Sequence, residues 1–486
     1  MRLSVPVKVA YWTGQVAEGL FSSTLSVFLL FYYNQVLGLS GSLCGVALAI
    51  ALCFDAVSDP LMGSVSDGWT SRLGRRHPFM YASALPLGIA VVALFNPPVT
   101  GTLALFAWLL VAAIVTRCSM TLYHVPHLAI AAEVTRDFDE RTSLVAYRYM
   151  FGAFGQLLAY GVGFGIYFKS TEAYKNGQLN PDAYFPFTIV VGLLMAAAIL
   201  ISAFGTRSLI PHLPQPARAE RYRIARAWTD LGAALANRSF RWLVVGFITV
   251  LLAAGVAGSL ALYVQTFFWR LTPAQIPLIL GTGVVATIVG FSVSTPLSRR
   301  FDKRGALIIG ALTWGAVQCV LIGIGMLGLV PASTSATLAL LMVGGLIQGA
   351  GGAQVWVASA SMLADVADQH ELETGKRQEG VFFGAFSFSQ KAAQGAGVVV
   401  GGALLDLIHW PTGTGVRTAA DIPVETLTTL AAIYGPGLAL LMVPAVWCVK
   451  RYALGRDAHA KIRAALNGEG IVGKPAPTAA IASVDD

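Results

Sequence analysis

Charge is what this sequence has least of. Asp, Glu, Lys and Arg together make up 12% of its 486 residues, against roughly 25% in an ordinary soluble domain. So thin a supply of charge cannot clothe a water-exposed surface, and a chain that is 56% hydrophobic is equally unlike a disordered one. The five cysteines, Cys44, Cys53, Cys118, Cys319 and Cys448, lie in or at the ends of apolar stretches without metal-ligand spacing. That excludes a disulfide framework and a thiolate metal centre, and leaves them as small packing residues. Also missing are a nucleophile elbow, a phosphate-binding loop and a metal-ligand cluster, so no enzyme, cofactor or resident metal is expected. No cleavable signal peptide is read at the start, where MRLSVPVKVAYW runs straight into an apolar segment.

What is present is a succession of apolar runs near 20 residues long, the length that carries a helix across a bilayer. About twelve of them are read between Tyr11 and Arg451. The 51 glycines and 22 prolines suit close-packed and locally broken membrane helices, whose neighbours re-satisfy the backbone. The net charge of +8 does not imply nucleic acid, because the basic residues fall in alternate loops. Arg72, Arg75 and Arg76 follow the second run, Arg136 and Arg141 the fourth, and Arg299, Arg300, Lys303 and Arg304 the eighth. Lys376 and Arg377 follow the tenth, and Lys450 and Arg451 the last. The positive-inside rule then places both termini in the cytoplasm of a multi-pass protein of the plasma (inner) membrane.

The division that follows is a first half over 1–206, a basic Pro-containing linker over 207–240, a second half over 241–452 and a polar tail over 453–486. An amphipathic helix is expected around Arg221 to Leu235 within the linker. The second half repeats the first. VSTPLSRRFDKRGA echoes the basic turn after Asp67, and ASMLADVADQHELETGKRQEG echoes AIAAEVTRDFDERTS, so Glu133 corresponds to Asp365 and Arg141 to Arg377. Two six-helix halves in parallel repeat place a binding site at mid-membrane between them.

Against this apolar background each intramembrane charge is informative, since an Asp at the bilayer centre costs roughly 2.5–3.5 kcal/mol even on the lenient insertion scale. Asp55 and Asp59, in FDAVSDPLMG, are four residues apart and therefore stacked on one helix face. They form a candidate cation site, or else one of them caps or pairs structurally. Pro60 frees a carbonyl on the preceding turn as a further ligand. Glu18, with Gln15 one turn earlier, is either functional or close enough to the helix end to reach water. Thr121 and His124 share a face of the fourth run, with Pro126 and His127 beside them. Arg148 in the fifth run calls for a carboxylate, and Glu18, Asp55 and Asp59 are on offer. Lys391 lies near the middle of the eleventh run, so its charge is paired or faces water. In the tenth run Trp356 either packs or stacks on a ring beside Gln354. At the cytoplasmic side Asp67, Arg72, Arg75, Arg76, Arg141 and Asp365 are read as a gate, with simple charge anchoring as the alternative for the basic turn.

DAVSDPLMG with RLGRR downstream (Asp55 to Arg76), ERTSLVAYR (Glu140 to Arg148), ADVAD (Ala364 to Asp368) and GKRQEG with Lys391 following resemble the glycoside-pentoside-hexuronide:cation symporters of the major facilitator superfamily, of which the melibiose carrier is the best known. The resemblance covers about Val9 to Arg451. It implies an all-α membrane protein of twelve transmembrane helices in two six-helix halves. It also implies cation-binding roles for Asp55, Asp59 and Thr121, and solute-side roles for Arg148, Lys391 and Trp356. Three positions depart from the melibiose carrier: Gly19 stands where its first-helix aspartate is, His124 replaces its fourth-helix aspartate, and Leu128 replaces the tryptophan that stacks on its sugar. The cation half of the site is thus kept while the sugar half is rewritten. The expected function is symport, by alternating access, of a sugar or glycoside-like solute with Na+ or H+, by a single chain. An amphipathic or anionic solute such as a lysolipid is the alternative.

Overall fold

The computed structural model describes residues 3–134, 138–213, 232, 234–330, 333–375, 379–413, 415–416 and 418–466. Among them there are helices and turns and no strand, as expected where no water is at hand to satisfy an open backbone edge. The first half supplies α1 (Val5–Val36), α2 (Gly41–Gly68), α3 (His77–Leu94), α4 (Thr102–Val134), α5 (Phe138–Val162) and α6 (Tyr184–Gly205). The second supplies α7 (Arg238–Tyr263), α8 (276–301), α9 (303–326), α10 (Thr334–Thr374), α11 (Glu379–Leu407) and α12 (Val424–Lys450). A short helix, α13 (Arg456–Leu466), follows. The helix that carries α8 and α9 runs from Ile276 to Met326 and is broken at Asp302, whose φ of 64° and ψ of 165° are not helical. With that break counted, twelve long helices stand where about twelve spans were read in the sequence. The helix expected at Arg221 to Leu235 falls mostly outside the described residues.

Local chemistry sets the helix ends. Pro6, Pro78 and Pro277 stand in the first turns of α1, α3 and α8, where a missing N–H costs nothing. Asn237 and Ser333 cap α7 and α10 by accepting from Phe240 N at 2.9 Å and Ala336 N at 3.2 Å. Large apolar side chains such as Leu85, Leu103 and Leu193 point outward, 66–80% exposed. That is the reverse of a soluble surface and suits hydrocarbon.

Within the first half α1 packs on α5 and α6, and α4 on α2 and α3; within the second α7 packs on α11 and α12, and α10 on α8 and α9. The halves meet through α2 with α11 and α5 with α8. One buried apolar cluster runs through the first half and continues into the outer parts of α7, α11 and α12, while a second stays within the second half. The halves are joined on the face opposite the termini, where Phe31 packs against Tyr263 (5.0 Å between centroids) and Phe267 (6.4 Å), and Trp410 against the same two rings.

The α2–α11 seam is built from glycine. A Cβ on Gly402 would collide with the Gly41 carbonyl, and one on Gly45 would lie 2.7 Å from Val399 Cα. Gly402→Val therefore forces the seam apart, at the cost of about 1–3 kcal/mol typical of overpacking. The thermal midpoint of purified Gly402→Val is expected to fall by several degrees. Gly384→Ala, on the same helix with nothing near its missing Cβ, keeps the wild-type midpoint in the same melt.

Candidate cation and solute site

α2 brings Asp55 and Asp59 to the seam one turn apart. α4 adds Thr121, whose Oγ1 lies 3.1 Å from Asp55 Oδ1 and 2.9 Å from Asp59 Oδ1, so one hydroxyl proton is shared between the two carboxylates. Ser58 Oγ stands 3.3 Å from Thr121 Oγ1 and donates to the Asp55 carbonyl at 3.2 Å. From the other half, Lys391 Nζ donates to Asp55 Oδ2 at 3.0 Å and to Asp59 Oδ2. Arg117 of α4 completes the group, its Nη1 3.6 Å from Asp55 Oδ2. Two carboxylates and two cations make a formally neutral knot, which is how four charges can share one place in a membrane.

Each carboxylate turns one oxygen to Thr121 and the other to Lys391, so the ammonium sits where an ion held by both would sit. The oxygen donors on hand are two carboxylates, two hydroxyls and the Ala56 carbonyl, which Pro60 deprives of its helical N–H. Such an all-oxygen set suits a hard cation or a proton. Among the described residues no group of three His, Cys, Asp or Glu side chains could hold a metal.

A second polar group lies next to the knot on α1, α4 and α5. Gln15 Nε2 donates to Glu18 Oε2 at 3.1 Å. His124 feels the charges of Glu18, Arg148, Asp55 and Lys391. The carboxylate expected beside Arg148 is not there: among the described residues Arg148 forms no ion pair, and its guanidinium lies 5.2 Å over the Tyr149 ring, near Tyr11. Arg117 takes the role foreseen for it. The signal was present, because Arg117 precedes Thr121 by four residues and so shares its face.

Two further candidates make contacts between helices. His127 is fully buried, stacked on Tyr11 (4.4 Å) and Tyr123 (5.0 Å) with Nδ1 3.4 Å from Ser202 Oγ, which makes it a tie between α1, α4 and α6. Gln354 Nε2 donates to the carbonyls of Gly290 (2.8 Å) and Ala350 (3.2 Å), which joins α10 to α8. Trp356 meets Phe247 edge-on at 5.6 Å and stays 40% exposed, so its indole has a free face.

Residues 10–456 match the model of the MFS/sugar transport protein family. The chain belongs to that family. It is 26% identical to the inner membrane symporter YicJ of Escherichia coli K12, with 93% of this chain and 92% of that protein aligned. It is also 26% identical to an isoprimeverose transporter of Lactiplantibacillus pentosus, over 89% of this chain and 87% of the other. The fold is that of the xylose transporter XylE of E. coli, in a partially occluded inward-open conformation, with a TM-score of 0.58 at 15% identity over 93% of this chain and 98% of XylE. These motifs and relatives fit the glycoside-pentoside-hexuronide:cation symporters, and the chain is a transporter of the major facilitator superfamily rather than an enzyme.

On the face that carries the termini, the transporter's charged residues close each half upon itself. Arg76 reaches Ser66, Asp67 and Glu133 (2.5 Å to the last), and Arg75 joins Glu133 at 2.8 Å. In the second half Lys303 holds both oxygens of Asp365 at 2.7 Å, and His459 of α13 stands 3.3 Å from Asp365 and 3.0 Å from Asp368. Glu133, the counterpart of Asp365 in the repeat, is the hub of the first network. Arg72 is exposed and stands outside it, and the Arg141 side chain lies outside the described residues. The ion pairs that Arg75, Arg76 and Lys303 make on this face each join residues of one half.

Proposed function

We propose that the chain is a secondary active symporter that carries a sugar or glycoside-like solute together with Na+ or H+. The observation that carries this reading is the Asp55–Asp59 pair, bridged by Thr121 and met by Lys391 across the seam between the halves. A coupling ion entering the pair competes with the Lys391 ammonium for the same oxygens. The freed ammonium, with Glu18, His124 and Arg148, then faces the solute, and the open face of Trp356 offers a surface for a sugar ring. Binding of ion and solute thus both act on the ionic contact of Lys391 with Asp55 and Asp59 between the halves, which ties them to alternating access.

The two halves, 1–206 and 241–452, are the moving parts, with 207–240 as the link between them and 453–486 as a tail. With the termini in the cytoplasm of the inner membrane, as the basic loops predict, the sealed face is the outer one and the chain is caught facing inward. The site uses residues of one chain, so a monomer suffices. The relatives' names support a carbohydrate solute. The test is the current across proteoliposomes on adding glycosides, uronides and lysolipids in turn, with sodium present and absent and at two pH values. A sodium- or pH-dependent current with one sugar is expected. Current with lysolipids alone would transfer the chain to amphipathic cargo, and no current with any would remove symport.

A further inference from the structure

α2 starts at the sealed face without a cap from its own chain neighbours: Ser40, at the N-cap position, makes no side-chain cap bond. The first amides of any helix need partners, and here they come from the other half. Asp406, in the last turn of α11, accepts from Ser40 Oγ at 2.6 Å and from the amides of Gly41 and Ser42 at 2.8 Å each. A carboxylate at a helix N-terminus gains from the helix dipole and from charge-assisted bonds. Its companions in the seal join neutral groups: Trp410 Nε1 donates to Gln35 Oε1 at 2.7 Å, the Gly413 amide to the Gln35 carbonyl at 3.0 Å, and Tyr263 Oη to Asn34 Oδ1 at 2.7 Å.

These bonds exist only while the halves touch on this face. Opening it sends the α2 terminus and Asp406 separately into water, so Asp406 favours the closed arrangement by the strength of a charged cap. Its position also links it to the cation knot. α2 and α11 run antiparallel, with Gly41 and Asp406 at one end and Asp55, Asp59 and Lys391 in the middle. The two levels are about 20 Å apart at 1.5 Å per residue.

We propose that Asp406 is the latch of the outer gate: a positioning residue that caps α2 from the opposite half and sets how often the empty transporter opens outward. This rests on the alternating-access reading above, and its test needs no transport. Cys44 is a built-in reporter, since it is buried one turn into α2, beside Tyr33 of the first half and Tyr263 of the second. Cys448, buried in α12 and outside the seal, reports general loosening.

Purified protein in detergent is treated with a maleimide, and labelling of the two thiols is followed by mass spectrometry. Asp406→Ala is expected to speed Cys44 labelling about tenfold, the scale of losing a charged cap, with Cys448 unchanged. Ser40→Ala, which removes one bond and keeps the charge, gives a smaller rise, and Asp406→Glu restores part of the protection. Unchanged Cys44 labelling in Asp406→Ala overturns the latch. So does an equal rise at both cysteines, which would make Asp406 a general support of the fold. Absence of ion-coupled current in the wild type would refute the symport reading while leaving the labelling result standing.

Discussion

Asp59→Asn abolishes ion-driven accumulation of the solute and spares its downhill movement. The amide is nearly isosteric and still accepts the Thr121 hydroxyl, which lies 2.9 Å from Asp59 Oδ1, so the shape of the site survives. What changes is the charge. The knot of Asp55, Asp59, Lys391 and Arg117 goes from neutral to net positive, and an entering cation then meets one carboxylate and two fixed cations. At 4 Å in surroundings of effective dielectric near 20, each unit of charge is worth about 4 kcal/mol, enough to lower ion occupancy by roughly 100-fold or more. The check is a pair of assays on one preparation. Accumulation against an imposed ion gradient should fall to the equilibrium level, while exchange of labelled for unlabelled solute continues within a few-fold of wild type.

Lys391→Ala has the second large effect, and it separates stability from transport. Removing the ammonium leaves Asp55 and Asp59 facing each other with only Arg117, 3.6 Å from Asp55, to balance them. Breaking a fully buried pair in this way costs about 3–5 kcal/mol. Here the side chains of Lys391 and Asp59 are 22% and 33% exposed, and solvent screening reduces the loss to about half of that range. The thermal midpoint of the purified protein should drop by several degrees and transport should be lost. Because the variant leaves an unoccupied pair of carboxylates, an added coupling cation should raise its midpoint more than it raises that of the wild type, as binding to the folded state alone requires. Adding Asp55→Asn to Lys391→Ala removes the excess negative charge, so the double variant recovers stability and not transport.

Both arguments concern residues that were visible in the sequence, and the reason is physical. A bilayer makes every buried charge expensive, so Asp55, Asp59 and Lys391 stood out from an apolar background before any contact was known. Their meeting did not: Asp55 and Lys391 are separated by 336 positions, and helix periodicity says which residues share a face of one helix, not which helices face each other. The same limit explains the exchange of roles between Arg117 and Arg148. Each reads as a lone basic residue in a span, and only the packing of α4 against α2 decides which one reaches Asp55. The tie that Gln354 makes to α8 was hidden for a related reason, because an amide in a glycine-rich helix suits a binding surface and a helix-to-helix tie equally well. Asp406 carried no signal at all, since an Asp at the end of an apolar run reads as solvated. On the termini face the repeat between the halves was legible from Glu133 and Asp365, but the sequence could not show that each network closes within its own half.

The most direct measurement of the central claim is cation binding itself, by calorimetric titration of purified protein with Na+, and by proton release on titration with base, for the wild type and for Asp55→Asn/Asp59→Asn. The account predicts one saturable monovalent site, for Na+ or for H+, in the wild type and none in the double variant. Binding of undiminished strength in the double variant would place the coupling ion elsewhere and contradict the assignment of the pair.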